Sequence, residues 1–526
     1  MKIKKTEFID GILSLVISQI LIKIFGVAYS LYITNKSGFG DEGNAIYMSG
    51  YQIYALLLTI SSIGVPNAIS KIISEKNMAK DYLNEKRVFQ ISVLLFSAIG
   101  FIGCIFLFTF STIIANKILE IPESALSLKA LSPAIFFVSI TSVIRGYCNG
   151  ESKIYLTAKS QFFEQVLKSF LTIIFVEIVS RLTDNNTEAM AGVANLATTF
   201  ATFFSLMYII RKYYKIKNKK LDLNEIYYPR ERISNIIKKI LKISIPMTIS
   251  AILNSLGKNI DSITVVKILK KIIGEENAIK KYGILSSKVD IIMTLPLSFN
   301  IAIATAIIPE ISKRKVINDI EGIVEKIKFS VLITVIIAVP ATFGIFLYSK
   351  QIFNLLFPNA NNGYELLSLA SIYLVFSLLT QTINGALQGL GENSIPVYSA
   401  MAGIIVKTIS NIIFIPISGI YEKGAVLGNI FSSITSFIIV YIALTRKIEL
   451  RLKLINYFIK PIIASIIMSI VSLNVYKFLI LKNINYNICT INSIVIAIII
   501  YVLCVFVMKM INKNQIQQTI ENTEKY

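Results

Sequence analysis

The sequence predicts an all-α polytopic membrane protein: about 14 transmembrane helices, arranged as two six-helix lobes related by a pseudo-two-fold along the membrane normal, plus two C-terminal helices. Three observations predict it. Of 526 residues, 54% are hydrophobic and 16% charged, where a soluble domain has about 45–50% and about 25%. Apolar runs of about 18 to 25 residues, each long enough to span a bilayer, recur along the chain. The two halves also repeat one another.

The first run follows MKIKK and imitates a secretory leader. It continues past Gln19 and Lys23 to about Thr34 with no small-x-small cleavage site, so it is expected to stay as the first span. Further runs of spanning length follow at 45–69, 88–115, 127–147, 157–180 and 187–210. A second set occupies 243–266, 281–308, 327–348, 364–388, 395–418 and 424–445, and a last pair 455–480 and 487–508. Between the sixth and seventh spans lies a connector carrying about eleven Lys and Arg up to Lys242. The expected domains are therefore an N-lobe over 1–214, the basic connector 215–242, a C-lobe over 243–447, a C-terminal helix pair over 448–511 and a tail over 512–526.

Sliding the chain on itself by 239 residues aligns 137–178 with 376–417 without a gap, and about 11 of the 42 positions are identical. They include Thr141 with Thr380, Gly146 with Gly385, Gly150 with Gly389, Ser160 with Ser399 and Lys168 with Lys407. A second echo pairs Ile69-Ser70-Lys71 with Ile311-Ser312-Lys313. Because six is even, both halves enter the membrane from the same side, which sets the axis along the membrane normal.

The formal charge of +22 is mostly topological. With the N-terminus inside, about 34 Lys and Arg fall on the cytoplasmic side and about 13 outside, which predicts cytoplasmic N- and C-termini and basic loops that touch anionic lipids. One outer cluster dissents, namely Lys267, Lys270, Lys271, Lys280 and Lys281 around Glu275 and Glu276. The chain has no histidine, which removes Ser-His-Asp and Cys-His catalysis and imidazole ligation together. Cys104, Cys148, Cys489 and Cys504 have no CxxC spacing, so neither a metal site nor a disulfide framework is expected. Nor is nucleic acid an expected partner.

The informative charges are those inside spans, where a Lys or Asp costs about 2.5–3.5 kcal/mol and normally faces a bundle interior or a wet cavity. On the first span Gln19, Lys23, Gly26 and Ser30 share a face, and on the fifth Gln161, Glu164, Gln165 and Lys168 form a polar stripe. Asn254, Lys258 and Asp261 follow on the seventh span, Lys288 and Asp290 on the eighth, and Lys407 on the eleventh. The expected substrate-binding set is thus Lys23, Lys168, Lys258, Lys407, Lys288, Gln19, Gln161, Gln165 and Asn254, with Glu164, Asp261 and Asp290 as charge partners that neutralise lysines. Five lysines against three acids leave such a cavity cationic, suited to a phosphate or pyrophosphate head group. Gly26, Gly146, Gly150, Gly385 and Gly389 are read as bending or close-packing positions. Tyr47, Tyr51 and Tyr54 repeat along the second span and read as interfacial belt or packing before sugar-stacking residues.

Lys23 with Gly26, GVPNAISK at 64–71, RGYCNGESKIYLTAKSQFFEQ at 145–165, NIDSITV at 259–265, LPLSFNIAIATAIIPEISK at 295–313 and LQGLGENSIP at 387–396 resemble the stage V sporulation protein B branch of the multidrug/oligosaccharidyl-lipid/polysaccharide exporter superfamily, which also contains the lipid II flippases. The resemblance implies a bacterial plasma-membrane flippase, not an enzyme. It would carry an undecaprenyl-pyrophosphate-linked saccharide, such as lipid II or a related wall, spore-cortex or polysaccharide precursor, to the outer leaflet by alternating access. It also implies that Lys23 helps bind the pyrophosphate, although Tyr29 and the uncharged stretch 55–66 stand where the lipid II flippases carry further basic residues, and that the last two helices form a groove for the lipid tail. No cofactor is expected, and Na+, H+ or the membrane potential would supply the energy. The rival readings are a cation-coupled multidrug exporter of the same superfamily and a non-transporting scaffold that gathers envelope-synthesis proteins.

Overall fold

The computed structural model describes residue 18 and residues 21–62, 64–151, 153–218, 228–448 and 454–510. Every regular element among them is a helix. In chain order these are α1 (Leu21–Asn35), α2 (Gly40–Ser62), α3 (Gly64–Met78), α4 (Tyr82–Ile113), α5 (Ser124–Gly150), α6 (Ile154–Leu182), α7 (Thr187–Asn218) and α8 (Ile233–Ile273). Then come α9 (Glu275–Gly283), α10 (Asp290–Val316), α11 (Ile320–Leu356), α12 (Tyr364–Gly389), α13 (Ser394–Phe414), α14 (Glu422–Lys447), α15 (Leu454–Leu481) and α16 (Tyr486–Val507). A π-helical turn, Ile284–Val289, joins α9 to α10.

Ten helices among the described residues are long and apolar enough to cross a membrane. The other four expected spans fall on α1, α2, α6 and α8, which are helical but shorter or interrupted by polar side chains such as the α6 stripe. Two boundaries differ from expectation. The run 45–69 is two helices, with Pro66 in the first turn of α3, where its missing N–H costs nothing. The end of the expected connector, from Ile233, is already helical and belongs to α8.

The chain forms two compact units, Met1–Lys288 with Asn411–Glu422, and Val289–Ser410 with Lys423–Tyr526. In the first, Ile69, Ile72, Val88, Phe96, Val143, Leu206 and Ile240 pack α3, α4, α5, α7 and α8 into one core. In the second, Ile311, Ile327, Val335, Ile383, Leu387 and Val440 do the same for α10, α11, α12 and α14. In lipid such contacts rest on close packing more than on the hydrophobic effect, so small residues matter where helices cross.

The glycine pairs occupy those crossings. A Cβ on Gly146 would lie 2.8 Å from the Pro66 carbonyl oxygen, and one on Gly385 would lie 2.2 Å from that of Ala304. Gly150 and Gly389 meet Ser70 and Ile308 in the same way, at 2.8 and 2.9 Å. Close approach is therefore the role these positions play. The contacts also set the register of the repeat, with Pro66 matching Ala304 and Ile73 matching Ile311. The Ile-Ser-Lys echo in the sequence is thus displaced by about one helical turn from the equivalent positions.

The turns that follow these helices repeat too. Asp81 caps α4, accepting from Asn84 N at 3.2 Å and pairing with Lys76 at 2.9 Å. Asp319 caps α11, accepting from Gly322 N at 2.9 Å and pairing with Arg314 at 2.5 Å. Lys80 and Asn318, one residue earlier in each turn, take φ of +56° and +54°. Burial would raise the Asp81 carboxyl, but hydrogen bonds from Lys76 and Asn84 hold it below its ordinary range. For Asp319 the Gly322 main-chain N–H, then Arg314, do the same.

Prolines inside the long helices leave carbonyls without their usual partner four residues on, and in lipid these must be satisfied within the protein. Ser132 Oγ donates to Lys129 O at 2.8 Å ahead of Pro133. Tyr501 OH donates to Ile336 O at 2.8 Å ahead of Pro340.

Four of the five lysines of the dissenting basic cluster form ion pairs. Lys270 meets Glu275 at 2.6 Å, Lys281 meets Glu422 at 2.5 Å, Lys280 meets Glu276, and Lys267 lies 3.7 Å from Glu120.

Candidate functional site: a polar cavity among α2, α5, α6 and α7

The polar stripe of α6 is the natural starting point. Thr157, Gln161, Glu164, Gln165 and Lys168 share one face of an otherwise apolar helix, so that face carries groups lipid cannot solvate. In the structure this face lines a cavity of about 520 Å³. Tyr51 and Tyr54 of α2, Pro66 and Asn67 of α3, Ser142, Arg145 and Asn149 of α5, Thr198 and Ala201 of α7, and Ile22 of α1 complete the wall. The α1 helix is held along α6 by Ser169 Oγ donating to Phe25 O at 3.2 Å, and Gly26 faces Gln165.

Two cations and one anion line the space. Lys168 is 6% exposed, and its Nζ lies 4.0 Å from the centroid of the Tyr51 ring and 5.5 Å from that of Tyr29. An ammonium over desolvated rings is stabilised by about 2 kcal/mol, so the lysine is held without a carboxylate. The cage is itself braced: Tyr29 and Tyr47 share a 3.1 Å hydrogen bond, Tyr51 stacks on Tyr47 at 5.9 Å, and Asn195 Nδ2 donates to Tyr47 O at 3.1 Å. The tyrosine stripe is therefore interior packing around a lysine, not an interfacial belt.

Glu164 does not neutralise Lys168, although the two are four residues apart. Its Oε2 accepts from Arg145 Nη2 at 2.7 Å, across from α5. Arg145 is fixed further by Ser160 Oγ, which accepts from Nε at 3.2 Å and Nη2 at 2.9 Å, and by Ser205 Oγ at 3.2 Å from Nη2. Sequence reasoning missed Arg145 and Ser205. Arg145 lies near the end of the expected span 127–147, inside the glycine motif, and was legible there as an intramembrane arginine.

The remaining expected site residues are placed as follows. Gln161 and Gln165 line the cavity with Lys168. Lys23 stands on an exposed face of α1, whose lining residue is Ile22. Lys288 is fully buried in the π-turn, 2.5 Å from Asp41, and is not a lining residue. Asp261 accepts from Asn411 Nδ2 at 3.1 Å, which also donates to Thr264 Oγ1 at 2.9 Å. Lys407 is buried on α13, and Asp290 opens α10 half-buried. Gln19 and the side chains of Asn254 and Lys258 lie outside the described residues.

The second unit holds a cavity of the opposite character. A groove of about 710 Å³ runs along α10, α11, α15 and α16, walled by residues such as Ile292, Leu295, Pro340, Met468, Ala497 and Val505.

The fold is one that solved membrane transporters share. The chain aligns with a lipid II flippase, MurJ, in an inward closed conformation, at a TM-score of 0.70 and 17% identity, covering 94% of this chain and 98% of that one. It also aligns with an inward-facing multidrug resistance MATE family transporter at 0.64 and 15% identity, covering 82% and 98%. The polysaccharide biosynthesis protein family profile matches residues 8–315, and the chain belongs to that family. The MatE profile matches residues 246–413. Among curated proteins of Bacillus subtilis (strain 168), the chain is 22% identical to stage V sporulation protein B over 408 residues, covering 77% of each. It is 23% identical to the lipid II flippase MurJ over 446 residues, covering 82% of this chain and 80% of that protein. The resemblance read from the sequence is borne out, and the chain is a multi-pass membrane protein of this superfamily.

Proposed function

We propose that the protein is a flippase that moves an undecaprenyl-pyrophosphate-linked saccharide, lipid II or a related envelope precursor, from the cytoplasmic to the outer leaflet. The observation that carries this reading is Lys168: a buried ammonium lining a polar cavity with aromatic rings around it and a carboxylate engaged elsewhere. Such a site attracts a multiply charged anion. The apolar groove in the other unit offers a polyprenyl chain the surroundings it needs. The named relatives include a lipid II flippase and a sporulation protein, which supports the same substrate class.

In this reading the termini are cytoplasmic, as the balance of Lys and Arg between the two sides predicts. Lys23, Lys258 and Lys407 serve the same pathway as Lys168. The carrier resets under the membrane potential, each charge moved through the field being worth about 2.3 kcal/mol per 100 mV. Reconstitution in liposomes with a defined undecaprenyl-pyrophosphate saccharide tests it. Substrate should cross to the other leaflet, faster with an imposed potential than without, and protein that leaves it on one side is no flippase for this class.

A cation-coupled multidrug exporter is the second reading, favoured by the fold shared with MATE transporters. It needs a carboxylate free to hold a cation, whereas Glu164 is engaged by Arg145. Protection of cells from cationic drugs upon expression would favour it.

A further inference from the structure

We propose that Arg145 is a receiving site for a phosphate group of the transported lipid, and that Glu164 is a resident anion which occupies Arg145 until a phosphate replaces it. This rests on reading the cavity as the head-group site and adds the residue that receives the anion.

Four observations carry it. Both side chains line the cavity, and Glu164 is the more accessible, with 26% of its side chain exposed against 11% for Arg145. An incoming ligand therefore meets the carboxylate before the guanidinium.

The guanidinium is held independently of Glu164. Ser160 takes Nε and Nη2, Ser205 takes Nη2, and Nη1 has no partner among the described residues. Withdrawal of Glu164 thus leaves Arg145 fixed in place with its fork toward the space.

The carboxylate is also a weak holder. It makes a single contact at 2.7 Å, whereas a phosphate offers two oxygens to the planar fork and more negative charge. A pyrophosphate bridging to Lys168 would gain a second cation that Glu164 leaves to the tyrosine rings.

The fourth observation is the internal repeat. At the matching positions of the second half, Ser399 and Lys407 are retained, but Arg145 becomes Asn384 and Glu164 becomes Gly403. The hydroxyl contact survives too, since Ser205 Oγ donates to Ser160 O at 3.2 Å and Ser436 Oγ to Ser399 O at 3.0 Å. The half that lacks the arginine also lacks the glutamate, while the packing around them stays.

The ligand chemistry is a phosphoryl oxyanion, whether on a prenyl lipid or free. The test is titration of purified full-length protein in detergent with geranylgeranyl pyrophosphate, repeated with inorganic pyrophosphate. Removing the competing anion in Glu164→Gln should tighten geranylgeranyl pyrophosphate binding about tenfold, and Arg145→Gln should weaken it by a similar factor. In the Arg145→Gln background, Glu164→Gln should change nothing, because the resident anion has no site left to occupy. The same tightening for inorganic pyrophosphate supports a site that reads phosphate alone, and tightening confined to the prenyl form supports a lipid head group.

Unchanged or weaker binding by Glu164→Gln overturns the proposal, and if Lys168→Met still abolishes binding, the head-group reading of the cavity survives that failure. Wild-type protein that binds neither pyrophosphate overturns both. Should Arg145→Gln fail to fold, Glu164→Gln decides alone, since it leaves the contacts of Arg145 with Ser160 and Ser205 intact.

Discussion

The α5–α6 pair and its repeat, α12–α13, have the same glycines, the same serine and the same buried lysine, yet they differ at the positions of Arg145 and Glu164. In the first, Arg145 and Glu164 face a cavity of about 520 Å³. In the second, Gly403 replaces the glutamate, and α13 lies so close to α14 that a Cβ there would be 2.4 Å from Ser436 Oγ. The scaffold, set by close-packing glycines and capped turns, is duplicated, and chemistry is added to one copy.

If the two copies do differ in this way, Lys168→Met should be the most damaging single change. Flipping of an undecaprenyl-pyrophosphate saccharide in liposomes should fall at least about tenfold, the loss of one charge-assisted contact. Lys407→Met should cost much less, and equal losses would show that the halves share the work evenly. Lys23→Ala, on an exposed face of α1, should lower flipping by less than Lys168→Met while the protein stays in the membrane, as a substrate-contacting role demands.

Packing offers a second contrast. Gly385→Ala drives a methyl group against the Ala304 carbonyl at 2.2 Å, whereas Gly146→Ala meets the Pro66 carbonyl at 2.8 Å. Both oppose rigid backbone, so thermal unfolding in detergent should show Gly385→Ala destabilised by about 2–3 kcal/mol and Gly146→Ala by about 1 kcal/mol. Tyr501→Phe, which strands the Ile336 carbonyl freed by Pro340, should cost about 1–3 kcal/mol in the same measurement. A silent Tyr501→Phe would mean that the carbonyl finds another donor.

Much of this was legible in the sequence, for physical reasons. Spans are visible because bilayer thickness fixes their length, and Lys168 because a mid-span ammonium is expensive. The α6 stripe was legible because helical periodicity places Gln161, Gln165 and Lys168 on one face, and that face lines the cavity. Partners across helices were not legible. The spacing of Glu164 and Lys168 suggested a pair, but Lys168 reaches toward the α2 tyrosines, and Glu164 is claimed from another helix by Arg145. Lys288 likewise meets Asp41, almost 250 positions away in the chain. The Ile-Ser-Lys echo misled by one turn, since positions four apart share a helix face and local similarity cannot separate the two registers.

The smallest expected effect concerns the duplicated turns. The folded-state pKa of both Asp81 and Asp319 is held below the ordinary carboxylate value, so each contributes stability that is present above that ordinary value and lost as pH falls through the folded one. Acidification through this window should lower the melting temperature of the solubilised protein, and Asp81→Asn and Asp319→Asn should each flatten part of that dependence. Asp81 is buried and also bound by the Asn84 side-chain amide, so its removal should cost about 1 kcal/mol as a lost cap. Asp319 relies on one main-chain N–H and one arginine at an exposed turn, so its variant should lie closer to wild type. The opposite order would mean that burial at the α3–α4 turn outweighs the hydrogen bonds that hold Asp81 ionised, and the two turns would then be alike in geometry but not in energetics.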